Sequence, residues 1–220
     1  MLVLAADTSG KNGSIALAHE RGGQLETLEV VALAGGTFSA QLVPQIAALL
    51  KKHGYGKQEI GVFVVVSGPG SFTGLRVGLA AIKGLAEVLG KPIVAVSLLE
   101  AVARSASTQG RVLAVLDAGR NEAYCGEYEV SLSAARMISE GLSKQNEIRP
   151  TGGALIATPD RTIANAVRAA AASVEEIAYP RTDFIARLGW EKLQRGETTT
   201  SQALEANYLR RSDAEIAFGS

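Results

Sequence analysis

The sequence predicts an α/β fold of two similar lobes, each a mixed sheet with helices. Three observations carry this. Apolar β-branched runs such as Ile60 to Val66 have the composition of strands covered on both faces. They alternate with segments whose apolar residues recur at helical spacing, as in Phe38, Leu42, Ile46 and Leu49/Leu50. Laying Val112-Leu-Ala-Val-Leu-Asp-Ala-Gly119 over Leu2-Val-Leu-Ala-Ala-Asp-Thr-Ser9 places Asp117 on Asp7, an offset of 110 residues in a chain of 220. The predicted lobes are residues 1–108 and 109–220, with the last residues packing back on the first lobe.

In chain order, Leu2 to Ala6 and Ser14 to Ala18 form a hairpin around the Asp7 to Gly13 tip. Gln24 to Leu33 is a third strand, and a helix follows from Phe38 to Lys51/Lys52. Ile60 to Val66 runs directly into Gly68-Pro69-Gly70, and a second helix extends from about Thr73 to Leu89. Ile93 to Val96 is a buried strand, after which Ser97 caps a helix with Glu100 in the capping-box position. In the second half, Glu122 to Tyr128 is the return arm of another hairpin. Ala154 to Thr158 is a strand, and Thr162 to Ala172 and Phe184 to Arg195 are helices.

Composition bounds the function. Hydrophobic residues at 47% and charged residues at 20% are those of a folded globular chain. Twenty-two basic residues balance twenty-two acidic ones, so no overall positive field draws in a polyanion. Contact with RNA is expected only through a partner's charge. Cys125 is the single cysteine, which rules out an intrachain disulfide and fits a small buried hydrophobe in a reducing compartment. Asp7 interrupts the N-terminal apolar run too early for a signal peptide, and the other runs are too short to span a bilayer. The expected location is cytoplasmic, with no membrane contact.

Two turns could carry chemistry. Asp7, at the carboxyl end of a central strand and followed by Thr8, Ser9 and Gly10, offers a carboxylate for a hydrated cation and backbone N–H groups for a phosphate. An aspartate there can equally cap its own turn. Matching acidic hairpins in two lobes are the arrangement of the actin-like, sugar-kinase-like (RNase H-like) ATPase folds, in which Asp7 and Asp117 would face a common cleft. The second turn, Gly68 to Gly70 with Ser71, Thr73 and Arg76, could bind an anion at the helix start or serve as a close-packed corner. It has no lysine for a Walker A loop. Thr73 also stands where a dinucleotide fingerprint needs glycine.

Leu4-Ala-Ala-Asp-Thr-Ser9, Ser67-Gly-Pro-Gly-Ser-Phe-Thr-Gly-Leu-Arg-Val-Gly-Leu79, Val96-Ser-Leu-Leu-Glu100, Leu116-Asp-Ala-Gly-Arg120 with Glu122 and Tyr124, and Tyr208-Leu-Arg210 together resemble the TsaB (YeaZ) family. The likeness is strongest before residue 125. It implies a non-catalytic subunit of the bacterial machinery that makes threonylcarbamoyladenosine in tRNA. By the same resemblance, a TsaD-like partner carries the metal and transfers the threonylcarbamoyl group, a TsaE-like ATPase recycles the complex, and tRNA is met only through the complex. No cofactor is expected for this chain itself, with magnesium ATP used at the level of the complex. Relatives that hold metal use paired histidines one helical turn apart. This chain has only His19 and His53, each expected as a solvated surface residue. Where family members carry His-Ser-Glu, Phe38-Ser39-Ala40 stands here.

The second helix is apolar on more than one face, with Gly74, Gly78, Ala81 and Leu85 on one stripe and Leu75, Leu79, Ile82, Ala86 and Leu89 on another. Either the first helix covers the extra stripe within the chain or a partner does. The resemblance implies the partner, because TsaB-like proteins pair with TsaD or with themselves through this helix pair. Phe38, Leu42, Leu75, Gly78, Leu79, Ile82 and Leu85 are then the expected interface, and a homodimer is expected when the partner is absent. The competing expectation is a small-molecule kinase or ATPase using Asp7 and Asp117 around magnesium ATP.

Overall fold

The computed structural model describes residues 1–169 and 173–210. Contacts divide the chain into two units. One comprises Met1–Ser97 with Arg181–Asn207, and the other Leu98–Pro180 with, of the described residues after it, Tyr208, Leu209 and Arg210. These bounds differ from a division at residue 108, because two helices belong with the sheet they cover rather than with the half of the chain they follow.

In the first unit, β1 (Leu2–Asp7), β2 (Gly13–Arg21), β3 (Gln24–Leu33), β4 (Ile60–Gly68) and β5 (Ile93–Ser97) form a sheet in the order β3-β2-β1-β4-β5. The β1–β2 and β2–β3 pairs are antiparallel, and β1–β4 and β4–β5 are parallel. Alternation along the strands divides the core. Leu2, Leu4 and Ala6 of β1, with Phe63 and Val65 of β4, join a cluster with Phe38, Leu42, Ile46 and Leu49 of α1 (Phe38–Lys52) and Leu75, Leu79 and Ile82 of α2 (Phe72–Leu89). On the opposite face Val64 meets α5 (Thr182–Gln194). A Cβ on Gly189 would lie 2.4 Å from both Val64 methyls, so glycine sets the close approach of that helix. Lys51 and Lys52 occupy the last turn of α1, where cations oppose the helix dipole. Gly90 closes α2 in the left-handed conformation at φ 62°.

In the second unit, β6 (Gly110–Gly119), β7 (Glu122–Val130), β8 (Ala135–Lys144), β9 (Leu155–Thr158) and β10 (Val174–Glu176) form a sheet in the order β10-β9-β6-β7-β8. Read from its other edge, this is the order of the first sheet, with the same antiparallel and parallel pairings. The repeat seen in the Asp7 and Asp117 segments therefore extends through all five strands. Leu113, Val115 and Ile156 pack with Ile163 and Val167 of α4 (Arg161–Ala169). Leu99 of α3 (Leu98–Arg104) lies on Gly126 of β7.

The two expected second-half helices are present within a few residues of their predicted bounds, although the end predicted at Ala170 to Ala172 lies outside the described residues. Two edge strands, β8 and β10, were not expected. Ala-Arg-Met-Ile-Ser-Glu-Gly-Leu-Ser-Lys has no strict alternation, and Val174–Glu176 has only three residues. Both owe their extended form to the neighbouring strand. Among the described residues, no helix is long and apolar enough to cross a membrane.

Candidate functional site

The first unit brings Asp7, Thr8 and Ser9 against Gly70, Ser71, Gly74 and Gly78. Asp7 ends β1 and is buried, 4% exposed. Its Oδ1 accepts from the Ser9 backbone N–H at 2.8 Å and from the Ser9 hydroxyl at 2.5 Å, so the aspartate caps its own turn. The Ser71 N–H donates to the Ser9 carbonyl at 2.7 Å, and the Thr8 hydroxyl donates to the Gly74 carbonyl at 2.7 Å. Ser71 also caps α2, its Oγ accepting from the Gly74 N–H at 3.3 Å.

These contacts explain the glycines. A Cβ on Gly70 would lie 2.5 Å from the Ser9 carbonyl oxygen, one on Gly74 2.0 Å from that of Thr8, and one on Gly78 2.2 Å from the Thr8 Oγ1. Gly68, at φ 128° before a cis proline, would meet the Asn207 carbonyl oxygen at 2.7 Å, and the Asn207 N–H donates to the Ser67 carbonyl. The bare strip that a phosphate would need along α2 is filled by Thr8 and Ser9 of the same chain, so Gly70, Gly74 and Gly78 do not offer it to a phosphate. Thr73 and Arg76 are exposed at the start of α2, the Arg76 guanidinium lying 3.7 Å over the Phe72 ring.

Burial pushes the Asp7 carboxyl above its ordinary value, against the lowering effect of the two Ser9 hydrogen bonds. The folded chain thus holds that proton to higher pH than the unfolded chain. Stability from this group is present below the unfolded value and is lost as pH rises through the folded one. Asp7→Asn removes the buried charge while keeping an acceptor for the Ser9 N–H. Its melting temperature is expected to exceed that of the parent at pH 8, with the gain shrinking as pH falls toward 4. A gain independent of pH would contradict this.

Asp117 lies in the second unit and is exposed. Its Oδ1 accepts from the Gly119 N–H at 2.9 Å and from Gln145 Nε2 at 3.0 Å, the same self-capping turn as at Asp7. The histidines are half-buried rather than solvated. His19 Nδ1 lies 3.1 Å from the Tyr55 hydroxyl, and His53 Nε2 lies 2.8 Å from Glu29. Cys125 is half-buried against the second core, and burial raises its thiol. Among the described residues, no three His, Cys, Asp or Glu side chains are grouped to hold a metal.

The expected interface needs correction. Phe38, Leu42, Leu75, Leu79 and Ile82 are buried in the first core, Gly78 is covered by Thr8, and Leu85 is half-buried. These residues hold the helices to their own sheet. The outward residues are different: Ala40, Val43, Pro44, Ala47 and Ala48 on α1, and Ala80, Gly84 and Val88 on α2. Val88 is 80% and Val43 45% exposed. Exposed charges also stand on these helices, Lys51 and Lys52 in the last turn of α1 and Arg76 and Glu87 on α2. Pro44 sits inside α1 although it removes a helix hydrogen bond, and a Cβ on Gly84 would meet nothing within 4 Å. Glycine inside a helix costs about 1 kcal/mol relative to alanine, and no contact among the described residues requires it at this position. Spacing alone could have revealed this row, since residues 80, 84 and 88 follow Arg76 at intervals of four.

A family model described as TsaD, tRNA N6-adenosine threonylcarbamoyltransferase, matches residues 32–218. The chain belongs to this family, on its TsaB (YeaZ) branch. The tRNA threonylcarbamoyladenosine biosynthesis protein TsaB of Bacillus subtilis is 35% identical over 130 residues, covering 59% of this chain and 56% of the relative. TsaB of Escherichia coli is 33% identical over 132 residues, with 59% and 55% covered. The chain thus spans about half the length of the curated relatives it matches. YeaZ from Pseudomonas aeruginosa superposes with a TM-score of 0.76 at 25% identity, over 94% of this chain and 100% of that one. The TsaB (YeaZ) likeness therefore extends through both sheets, including the second, where the sequence resemblance thins.

Proposed function

We propose that this chain is a non-catalytic scaffold and activator in the synthesis of threonylcarbamoyladenosine in tRNA, docking a TsaD-like catalytic subunit on the outward face of α1 and α2. The observation that carries the proposal is the row of exposed small and apolar residues on this helix pair, with a valine exposed at 80% and a glycine, Gly84, that no contact among the described residues explains. Small residues along a helix allow a second helix to approach closely, and a contiguous exposed apolar surface is the usual mark of a protein partner. The names of the TsaB relatives supply the pathway. The same face pairs two copies of the chain when the catalytic subunit is absent. The TsaE-like ATPase and tRNA join the assembly around the TsaD-like subunit, with magnesium ATP consumed there.

The absence of paired histidines from the sequence supports a non-catalytic role, because the resemblance gives the metal to the TsaD-like subunit. Omitting this chain from a reaction reconstituted with TsaD-like and TsaE-like subunits, the threonylcarbamoyl adenylate and tRNA is expected to abolish modification, read by mass spectrometry of the digested tRNA. Full modification without it would overturn the proposal.

A further inference from the structure

The two repeats differ in one element, and a cavity lies in the repeat that lacks it. In the first unit α1 joins β3 to β4 and packs beside α2. In the second unit the corresponding connection, from β8 to β9, forms only a short 3-10 turn at Gln145–Glu147, and α4 takes the place of α2. Beside α4 lies a cavity of about 730 Å3, lined by Ile148, Ala166 and Val167 on its apolar side. Its polar side carries Arg120, Lys144 and Arg149 with the amides of Asn121, Gln145 and Asn146. Its volume is that of a site for a small organic ligand.

The charges are concentrated and their supports are built. The chain has a formal net charge of zero, yet Lys144 and Arg149 line this cavity beside Arg120, and its one lining carboxylate, Glu122, is already bound to the Arg210 guanidinium. Arg149 Nη1 donates to the carbonyls of Asn146 and Ile148 at 3.0 and 2.7 Å, which holds the guanidinium. No carboxylate of the described residues pairs with it. Among the described residues, Lys144 has only an exposed contact to Glu147 at 3.6 Å, of the kind worth little in water. The rim is tied down by the Gln145 N–H donating to the Asn121 carbonyl at 2.9 Å and by Gln145 Nε2 bridging Asp117 and the Glu122 carbonyl. Arg120 and Asn121 both have positive φ, 56° and 60°, an unfavourable conformation for arginine that turns this hairpin tip toward the cavity mouth.

We propose that this cavity binds a nucleotide, its phosphate held by Arg149 and Lys144 and its base laid on Ile148, Ala166 and Val167. Guanidinium groups suit phosphate oxygens because their paired N–H donors match that geometry, and the amides provide hydrogen bonds to the base edge. The nucleotide is either free or one unit of an RNA strand. This site belongs to the second unit and does not depend on the docking face of the first, so either proposal can fail without the other.

The test uses the full chain in magnesium-free buffer, titrated with AMP by calorimetry and with a labelled eight-nucleotide single-stranded RNA by anisotropy. The parent is expected to bind at least one of them. Arg149→Ala is expected to weaken that binding roughly 10- to 100-fold. Ala166→Trp, which fills the cavity from an exposed position, is expected to abolish it, while Lys11→Ala in the other unit leaves it unchanged. Circular dichroism checks that each variant is folded. Binding of AMP assigns a free nucleotide, and binding of RNA that AMP does not displace assigns the strand. No binding of either to the parent at millimolar AMP and micromolar RNA, or binding unaffected by both cavity variants, would overturn the proposal.

Discussion

Gly74→Ala is expected to destabilise the chain by about 3 kcal/mol. In a chain of this length that corresponds to a fall of about 6–12 °C in melting temperature. The new methyl group would lie 2.0 Å from the Thr8 carbonyl oxygen, a backbone atom that cannot rotate away. Relief requires β1 and α2 to separate, which breaks the Thr8 to Gly74 hydrogen bond and opens the interface of Leu4 and Ala6 with Leu75. Gly78→Ala meets a side chain instead, the Thr8 Oγ1 at 2.2 Å. Its loss should therefore be largely recovered in the Thr8→Ala/Gly78→Ala double variant, whereas Thr8→Ala should not rescue Gly74→Ala. Thermal denaturation of the four variants separates the cases. A fall of less than 2 °C for Gly74→Ala, or equal rescue of both, would show that the corner is not packed as described.

Gly84→Arg is expected to have the opposite pair of effects. In the isolated chain it replaces an exposed helical glycine by a better helix former, adding about 0.5–1 kcal/mol of stability. In the proposed complex the long cation is forced between closely packed helices at a row of small and apolar residues, Ala80, Gly84 and Val88. The affinity for the TsaD-like subunit should then fall at least a hundredfold, and self-pairing should disappear. Calorimetry against the partner and sedimentation of the chain alone read the two effects. Unchanged affinity would remove α2 from the docking face. Gly78 would be the wrong residue for this test despite its place in the same helix, because it is buried against Thr8.

Much of this protein is written locally. Leu2 to Ala6 and Ile60 to Val66 hold no polar side chain because both faces of their sheet are covered, so their place as central strands follows from composition. The Asp7 and Asp117 repeat is visible because each aspartate closes the same kind of turn two residues on. The strands β8 and β10 were not legible, since an edge strand takes its conformation from hydrogen bonds to a neighbour that lies far away in the chain.

The functional residues divide in the same way. The segment Ser67 to Arg76 marks the family by its sequence alone, and its helix start has the composition of a phosphate loop. Only the tertiary structure shows that Thr8 and Ser9, more than sixty residues earlier, occupy the space the glycines leave. Periodicity likewise identifies two apolar stripes on α2 but cannot say whether the chain covers them; the fold covers Gly74 and Gly78 of one as well as most of the other, and the exposed row is a third. The fold buries Leu75, Leu79 and Ile82 and leaves Ala80, Gly84 and Val88 outside. Strand and helix patterns depend on neighbours a few residues apart, so the sequence alone determines the elements and their duplication. Occupancy of a helix face or a glycine strip depends on segments brought together from distant positions, and that was decided by the packing.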